Sequence, residues 1–212
     1  MIPNSVTTID KSIFKNCKQL TSNSIPDSVT SIGSLCFSDC EYLKSISIPN
    51  SVISIGESCF YNCIQLTLIS IPDSVIFIGN FCFKNCKQLI SISLSNSLIS
   101  IEFCCFCYCQ NLISISISNS VISIEKSRFK YCYNNISNSV ISIEKDYNLS
   151  SISIPNSLLT IGDKCFYDYR NLLSISIPNS VKSFRELCFY GCSSLKTVFI
   201  GNVVKYINKK NV

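Results

Sequence analysis

Residues 48–63 read IPNSVISIGESCFYNC. Nearly the same words recur along the whole chain. The phrase Ile-Pro-Asn/Asp-Ser-Val starts at Ile2, Ile25, Ile48 and Ile71, and in degraded form at Leu94 and Ile117, always 23 residues apart. The register then slips: Ile136 follows after 19 residues and Ile154 after 18, before the 23-residue spacing resumes at Ile177 and Ile200. Ten starts therefore span the 212 residues. A fixed period of this length is the signature of a repeat architecture, in which each unit is one supersecondary element stacked on its neighbours.

The unit Leu43–Cys63 explains what one repeat does. Leu43 to Ile48 alternate apolar and polar residues, rich in isoleucine, as a short half-buried strand requires. Pro49, Asn50 and Ser51 make a turn, proline presetting φ and asparagine bonding its own backbone. Val52 and Ile55 return apolar side chains to the inside, and Gly56 is expected where the backbone takes an unusual φ or a tight bend. Cys59, Phe60 and Cys63 have the spacing of a helical turn with one face inward. Twenty-three residues cannot bury such a face alone, so the units must stack. Stacking makes columns: isoleucines 46, 69, 92, 115, 152 and 175, phenylalanines 14, 37, 60, 83, 106, 129, 166 and 189, and an Asn or Asp at every turn from Asn4 to Asn202.

Composition narrows the function classes. The chain is 47% hydrophobic and 15% charged, so it is no disordered tail. Its net charge of +5 comes from scattered lysines and arginines, without the concentrated basic footprint of a nucleic-acid binder. Apolar runs are interrupted every few residues by Ser, Asn or Pro, which excludes a membrane-spanning helix. The start, MIPNSVTTID, has no basic region or apolar segment of a secretory signal.

The pattern L-x-x-I-x-I-P-x-S-V-x-x-I-G-x-x-C-F-x-x-C resembles the 23-residue leucine-rich repeat of the BspA-like class, over residues 2 to about 208. The resemblance implies one curved solenoid over residues 1–212, a repeat fold with a parallel β-sheet on one side and short strands, turns and helical turns on the other, in about ten units with shortened, irregular ones at 117–153. It implies cell-surface, adhesion and protein-binding roles, with no cofactor. Two departures stand against the family pattern: the chain shows no signal peptide, and Met1 falls within a unit without a capping segment. The absent signal points to an intracellular location and the resemblance to the cell surface.

Fifteen cysteines form two columns and two strays. One column precedes Phe (Cys36, Cys59, Cys82, Cys105, Cys165, Cys188), where the resembled family usually has Ala; the other follows it by three (Cys17, Cys40, Cys63, Cys86, Cys109, Cys132, Cys192). Core packing as small apolar side chains is the leading reading, ahead of disulfides and of metal, for which the chain offers no histidine. Side chains in one column point in parallel rather than at each other. Cys104, Cys105, Cys107 and Cys109 are the one local concentration, which alternating side-chain directions are expected to split.

No catalytic constellation is visible: without histidine the usual base for a cysteine nucleophile is missing, and no carboxylate pair or phosphate loop replaces it. Two surfaces remain for binding. The outward strand positions are a lawn of serines, such as Ser45 and Ser47, that offers hydroxyls to a glycan or another solenoid but few anchors. The bend around Phe and Cys is better decorated, with Tyr42, Lys44, Tyr61, Lys84, Lys87, Tyr108, Lys130, Tyr131, Tyr167, Arg170 and Tyr190 at variable positions. These residues are the expected interaction surface for a protein partner. End-to-end self-association through apolar end faces is the alternative. The slipped region also carries two glycosylation sequons, at Asn135 and Asn148, relevant only to a secreted chain.

Overall fold

The computed structural model describes residues 2–112, 114–121, 123–124, 154–168, 170 and 172–201. Parts of the expectations fall outside these: Lys130, Tyr131, Phe129, Cys132, Ile152, both sequons and most of the irregular stretch.

The described chain is a succession of short parallel strands in two columns, coil upon coil. Two-residue strands form one column: β1 (Thr8–Ile9), β3 (Ser31–Ile32), β5 (Ser54–Ile55), β7 (Phe77–Ile78), β9 (Ser100–Ile101), β11 (Ser123–Ile124), β12 (Thr160–Ile161) and β14 (Ser183–Phe184). Strands of three or four residues form the other: β2 (Ser22–Ser24), β4 (Ser45–Ser47), β6 (Leu68–Ser70), β8 (Ser91–Ser93), β10 (Ser114–Ser116), β13 (Ser174–Ile177) and β15 (Thr197–Ile200). All pairings are parallel, in the orders β1-β3-β5-β7, β9-β11-β12-β14, β2-β4, β6-β8-β10 and β13-β15. The second of these columns is the one the alternating pattern predicted. The two-residue column is additional to it, since strands that short leave no periodicity to read.

Register follows the repeat. Ile69 lies opposite Ile92 and Ile92 opposite Ile115, and Ile32 opposite Ile55 and Ile55 opposite Ile78. The buried faces of both columns close on a continuous core containing Val29, Val52, Val75, Leu43, Leu66 and Leu89. Phe37, Phe60, Phe83 and Phe106 are fully buried and stack face to face, with ring centroids 5.5 Å apart for the first pair, 5.3 Å for the second and 5.7 Å for the third. In the slipped region the ladder takes one long step: Ser123 of β11 pairs with Thr160 of β12, although a further unit of chain begins between Ile117 and Ile154, at Ile136.

The expected helical turn at Cys59–Cys63 is not there; among the described residues no helix occurs. The bend is instead a chain of turns with two left-handed residues four apart. Ser58 has φ 53° and Asn62 φ 59°, and the pair recurs as Ser12/Asn16, Leu35/Asp39, Phe81/Asn85, Cys104/Tyr108 and Lys164/Asp168. A left-handed residue interrupts any right-handed helix. The hydrogen bonds run accordingly: the N–H groups of Ser58, Phe60 and Asn62 donate sideways to Asn80, Cys82 and Lys84 of the next coil at 2.8, 2.9 and 2.9 Å, rather than along a helix axis. The second left-handed position carries Asn or Asp in most coils, the residue types that tolerate it.

Gly56 also departs from expectation. Glycine with a left-handed φ is found among the described residues at Gly191 alone. At Gly56 the reason is close approach: a Cβ there would lie 2.4 Å from the backbone nitrogen of Ser34 and 2.6 Å from the carbonyl carbon of Gly33. The Gly56 N–H meets Ile32 O at 2.8 Å, so the two coils have no room for a side chain between them.

Two substitutions test this packing. Phe83→Ala should lower unfolding free energy by about 3–5 kcal/mol in urea titration, because its ring lies between two others in the core. Gly56→Ala should cost about 1–3 kcal/mol by overpacking backbone against backbone; a neutral result for either places the column elsewhere than the core.

Candidate functional site

The bend surface is assembled by the turns just described. Of the residues between the left-handed Ser58 and Asn62, Cys59 and Phe60 are buried while Tyr61 reaches the surface, and the next coil places the equivalent positions alongside. The side chains at the first and fourth positions of each turn become neighbours, closed by a backbone hydrogen bond such as Tyr61 N–H to Ser58 O at 3.1 Å and Lys84 N–H to Phe81 O at 3.0 Å.

Three of the predicted residues meet here. The Lys84 ammonium lies 5.1 Å from the Phe81 ring centroid and 5.8 Å from those of Tyr61 and Tyr108, one in the preceding coil and one in the following. An ammonium over ring faces is held by their quadrupoles. Phe103 meets Phe81 edge to face at 5.1 Å and enlarges the cluster. A second group forms further along, where Tyr167 stacks on Tyr190 at 5.2 Å and the Lys164 ammonium sits 5.8 Å from the Tyr167 ring. Arg170 turns to Asp168, with Nε 3.1 Å from Oδ1. Tyr42 and Lys44 are exposed and Lys87 half-buried, and no ring or ion contact among the described residues joins them to either group. Lys130 and Tyr131 lie outside the described residues.

Beneath this surface runs a polar ladder. Asn62 Nδ2 donates to Asp39 Oδ1 at 2.9 Å and Asn85 Nδ2 to Asn62 Oδ1 at 2.6 Å, each from a left-handed residue. Tyr108 takes the next place in that column, which is how it comes to face Lys84.

The cysteine columns are structural. Cys59, Cys63, Cys82 and Cys86 are fully buried. The second column also ties neighbouring coils together by hydrogen bonds. The thiols of Cys40, Cys63, Cys86, Cys109 and Cys192 donate to the Phe14, Phe37, Phe60, Phe83 and Phe166 carbonyls at 3.1–3.2 Å, each joining one coil to the one before. A donating thiol must keep its proton. Burial enforces this, pushing Cys36 up to about 12 and Cys40 to about 11, with Cys59, Cys63, Cys82 and Cys86 also raised well above the ordinary value. Such thiols are poor nucleophiles and metal ligands; among the described residues no group of His, Cys, Asp and Glu is arranged to hold a metal ion.

The local concentration of cysteines is not split as expected. Cys104 and Cys107 form a disulfide, with Cα atoms 5.0 Å apart, and twelve other described cysteines remain thiols. The expectation assumed strand-like alternation, whereas Cys104 and Cys107 occupy the first and fourth positions of a turn.

One surface was not foreseen. Ile53, Ile76, Ile99 and Leu159 occupy the position after the buried turn residue in their coils, and all are about half exposed, Ile76 at 54%. Phe77, beside Ile76, is 48% exposed where other coils carry serine or threonine. The result is an apolar ridge along the edge of the two-residue strands. Its signal was in the sequence: the column begins with Thr7 and Thr30 and then changes to isoleucine at Ile53, Ile76, Ile99 and Ile122.

A family model of the BspA-type leucine-rich repeat region matches residues 1–71, 36–147 and 140–211, in six copies. Among solved structures, a leucine-rich repeat protein from Bacteroides ovatus aligns over 97% of this chain and 67% of its own, at 24% identity and a TM-score of 0.60. The leucine-rich repeat protein of T. pallidum aligns over 90% of this chain and 72% of its own, at 23% identity and a TM-score of 0.58. Both likenesses concern the fold. No curated protein matches the sequence.

The raised thiol values predict a pH dependence. A thiol raised in the folded state favours folding fully below the unfolded value near 9 and loses that contribution as pH rises toward the folded one. Unfolding free energy should therefore fall above about pH 9, by about 1.4 kcal/mol per pH unit for each such thiol. Denaturant titrations at pH 8 and pH 10 check it, equal stability at both being the contrary result.

Proposed function

The chain belongs to the BspA-type leucine-rich repeat family, and from that premise we propose that it is a non-enzymatic module binding a protein partner through an extended solenoid surface, in adhesion at a cell surface. Repeats of this type are typically interaction or adhesion scaffolds. The whole chain, residues 1–212, acts as one such solenoid.

The observation that carries the proposal is the ridge of Ile53, Ile76, Phe77 and Ile99. Burying it against a partner removes apolar surface from water, the main driving force of association. The bend face contributes beside it: Tyr61, Lys84 and Tyr108 supply amphipathic rings and a charge already fixed in place, so little side-chain entropy is lost on contact. The remaining bend residues, Tyr42, Lys44, Lys87, Tyr167, Arg170 and Tyr190, extend that face. The strand serines present hydroxyls alone, which suits a glycan better than a protein.

A second reading has its own observation. At the first coil, Ile2, Val6, Ile9, Ile13, Phe14 and Leu20 line an open apolar recess of about 430 Å³. This end face would serve a structural element that associates end to end. Sedimentation across a wide concentration range separates the readings, a monomer throughout opposing self-association.

For the first reading, a photo-crosslinking side chain placed at Ile76, Tyr108 or Ser47 should capture a discrete partner from the first two positions and not from Ser47. Capture from Ser47 alone would move the interface to the strand face and overturn the proposal.

A further inference from the structure

The disulfide sits at a pair of turn positions whose side chains also meet in other described coils. In the coil before it, the same two positions hold Phe81 and Lys84, whose ammonium lies 5.1 Å from the ring. In a later coil they hold Lys164 and Tyr167, 5.8 Å apart by the same measure. The turn is closed at Cys104–Cys107 by its own backbone hydrogen bond, Cys107 N–H to Cys104 O at 3.2 Å. It is also anchored to the coil below, through Phe81 N–H to Phe103 O at 2.9 Å and Asn85 N–H to Cys107 O at 2.8 Å. Two cysteines placed there are held together by the backbone in either redox state. The buried column thiols, such as Cys59, Cys63, Cys82 and Cys86, differ in kind: they lie in the core, several donate to carbonyls of the preceding coil, and parallel side chains do not face one another.

We propose that Cys104 and Cys107 are a thiol–disulfide switch that exchanges with low-molecular-weight thiols and disulfides of the glutathione class. Cys104 keeps a small exposure of 7% while Cys107 has none, so Cys104 is the sulfur that meets the small molecule. In oxidation the Cys104 thiolate attacks one sulfur of glutathione disulfide, whose S–S bond breaks and releases one glutathione thiol. The Cys107 thiolate then attacks the Cys104 sulfur, displacing the second glutathione. Two electrons pass from the cysteine pair to glutathione disulfide, the two cysteine protons ending on the two glutathione thiols. Reduction is the reverse, beginning with attack of glutathione on Cys104. The exchange stands apart from the binding proposal. Its setting connects the two, because Phe103 and Tyr108 flank the pair and Phe81 and Lys84 lie one coil below.

The test is thiol mapping on the folded chain. The protein is incubated with glutathione disulfide, free thiols are alkylated under denaturing conditions, and peptides are assigned by mass. Starting from the reduced protein, the wild type should lose the alkylatable thiols of Cys104 and Cys107 to a bond between them, beside a mixed disulfide with glutathione on the exposed Cys17, and should regain them when reduced glutathione is added to the folded protein. Cys107→Ser should hold one glutathione on Cys104, and Cys104→Ser should hold none on Cys107. Cys17, an exposed thiol, serves as the internal control for access of the reagent. Both cysteines remaining alkylatable, or bonds spread among the column cysteines, overturns the proposal. So does a bond that reduced glutathione cannot open in the folded state, which makes the pair a permanent staple. The wild-type mapping decides even where a serine variant fails to fold.

Discussion

Backbone hydrogen bonding from each coil to the next is the constraint on which the rest of this molecule depends. The Phe60 N–H reaches Cys82 O at 2.9 Å and the Gly56 N–H reaches Ile32 O at 2.8 Å, so every coil must lie at strand spacing from its neighbours. Whatever stands at one position is then within contact of the same position one unit away. Flat rings stack, the amides of Asn85 and Asn62 chain down to the Asp39 carboxylate, and a side chain at Gly56 has nowhere to go. The same spacing turns the thiols of Cys40, Cys63, Cys86, Cys109 and Cys192 toward a carbonyl of the coil before. Monotony of sequence is the result, since a residue that suits the column in one unit suits it in all.

Much of this was legible because repetition reports contact directly. The period gave the solenoid, the Phe and Ile columns gave the core, and the alternating Leu43–Ile48 segment gave the longer strands. The bend was misread for a physical reason. Cys59, Phe60 and Cys63 have helical spacing, but spacing records which side chains point inward and not the hand of the backbone between them. The left-handed residues carried a fainter mark, the recurrent Asn or Asp at Asn16, Asp39, Asn62 and Asn85. The two-residue strands left none.

The surface was harder to read than the core. Of the predicted bend residues, Tyr61, Lys84 and Tyr108 come together because three successive coils align them, while Tyr42 and Lys44 stay outside the cluster. The Ile53–Ile76–Ile99 ridge escaped notice since isoleucine next to a buried valine reads as more core. A turn places adjacent residues on opposite sides, and this one sends Val75 inward and Ile76 out.

The pairing of Ser123 with Thr160 has a consequence of another kind. Near-identical coils are near-interchangeable partners, so a strand that skips a unit still finds isoleucine, valine and serine where it expects them. The chain must choose its neighbour against competitors that look alike, and it discriminates by its irregularities: Glu102 in the glycine column, Phe77 among serines, Tyr108 at the head of an amide ladder. In such a molecule the exceptions to the repeat encode position. They are the addresses that tell one coil from the next while the chain folds.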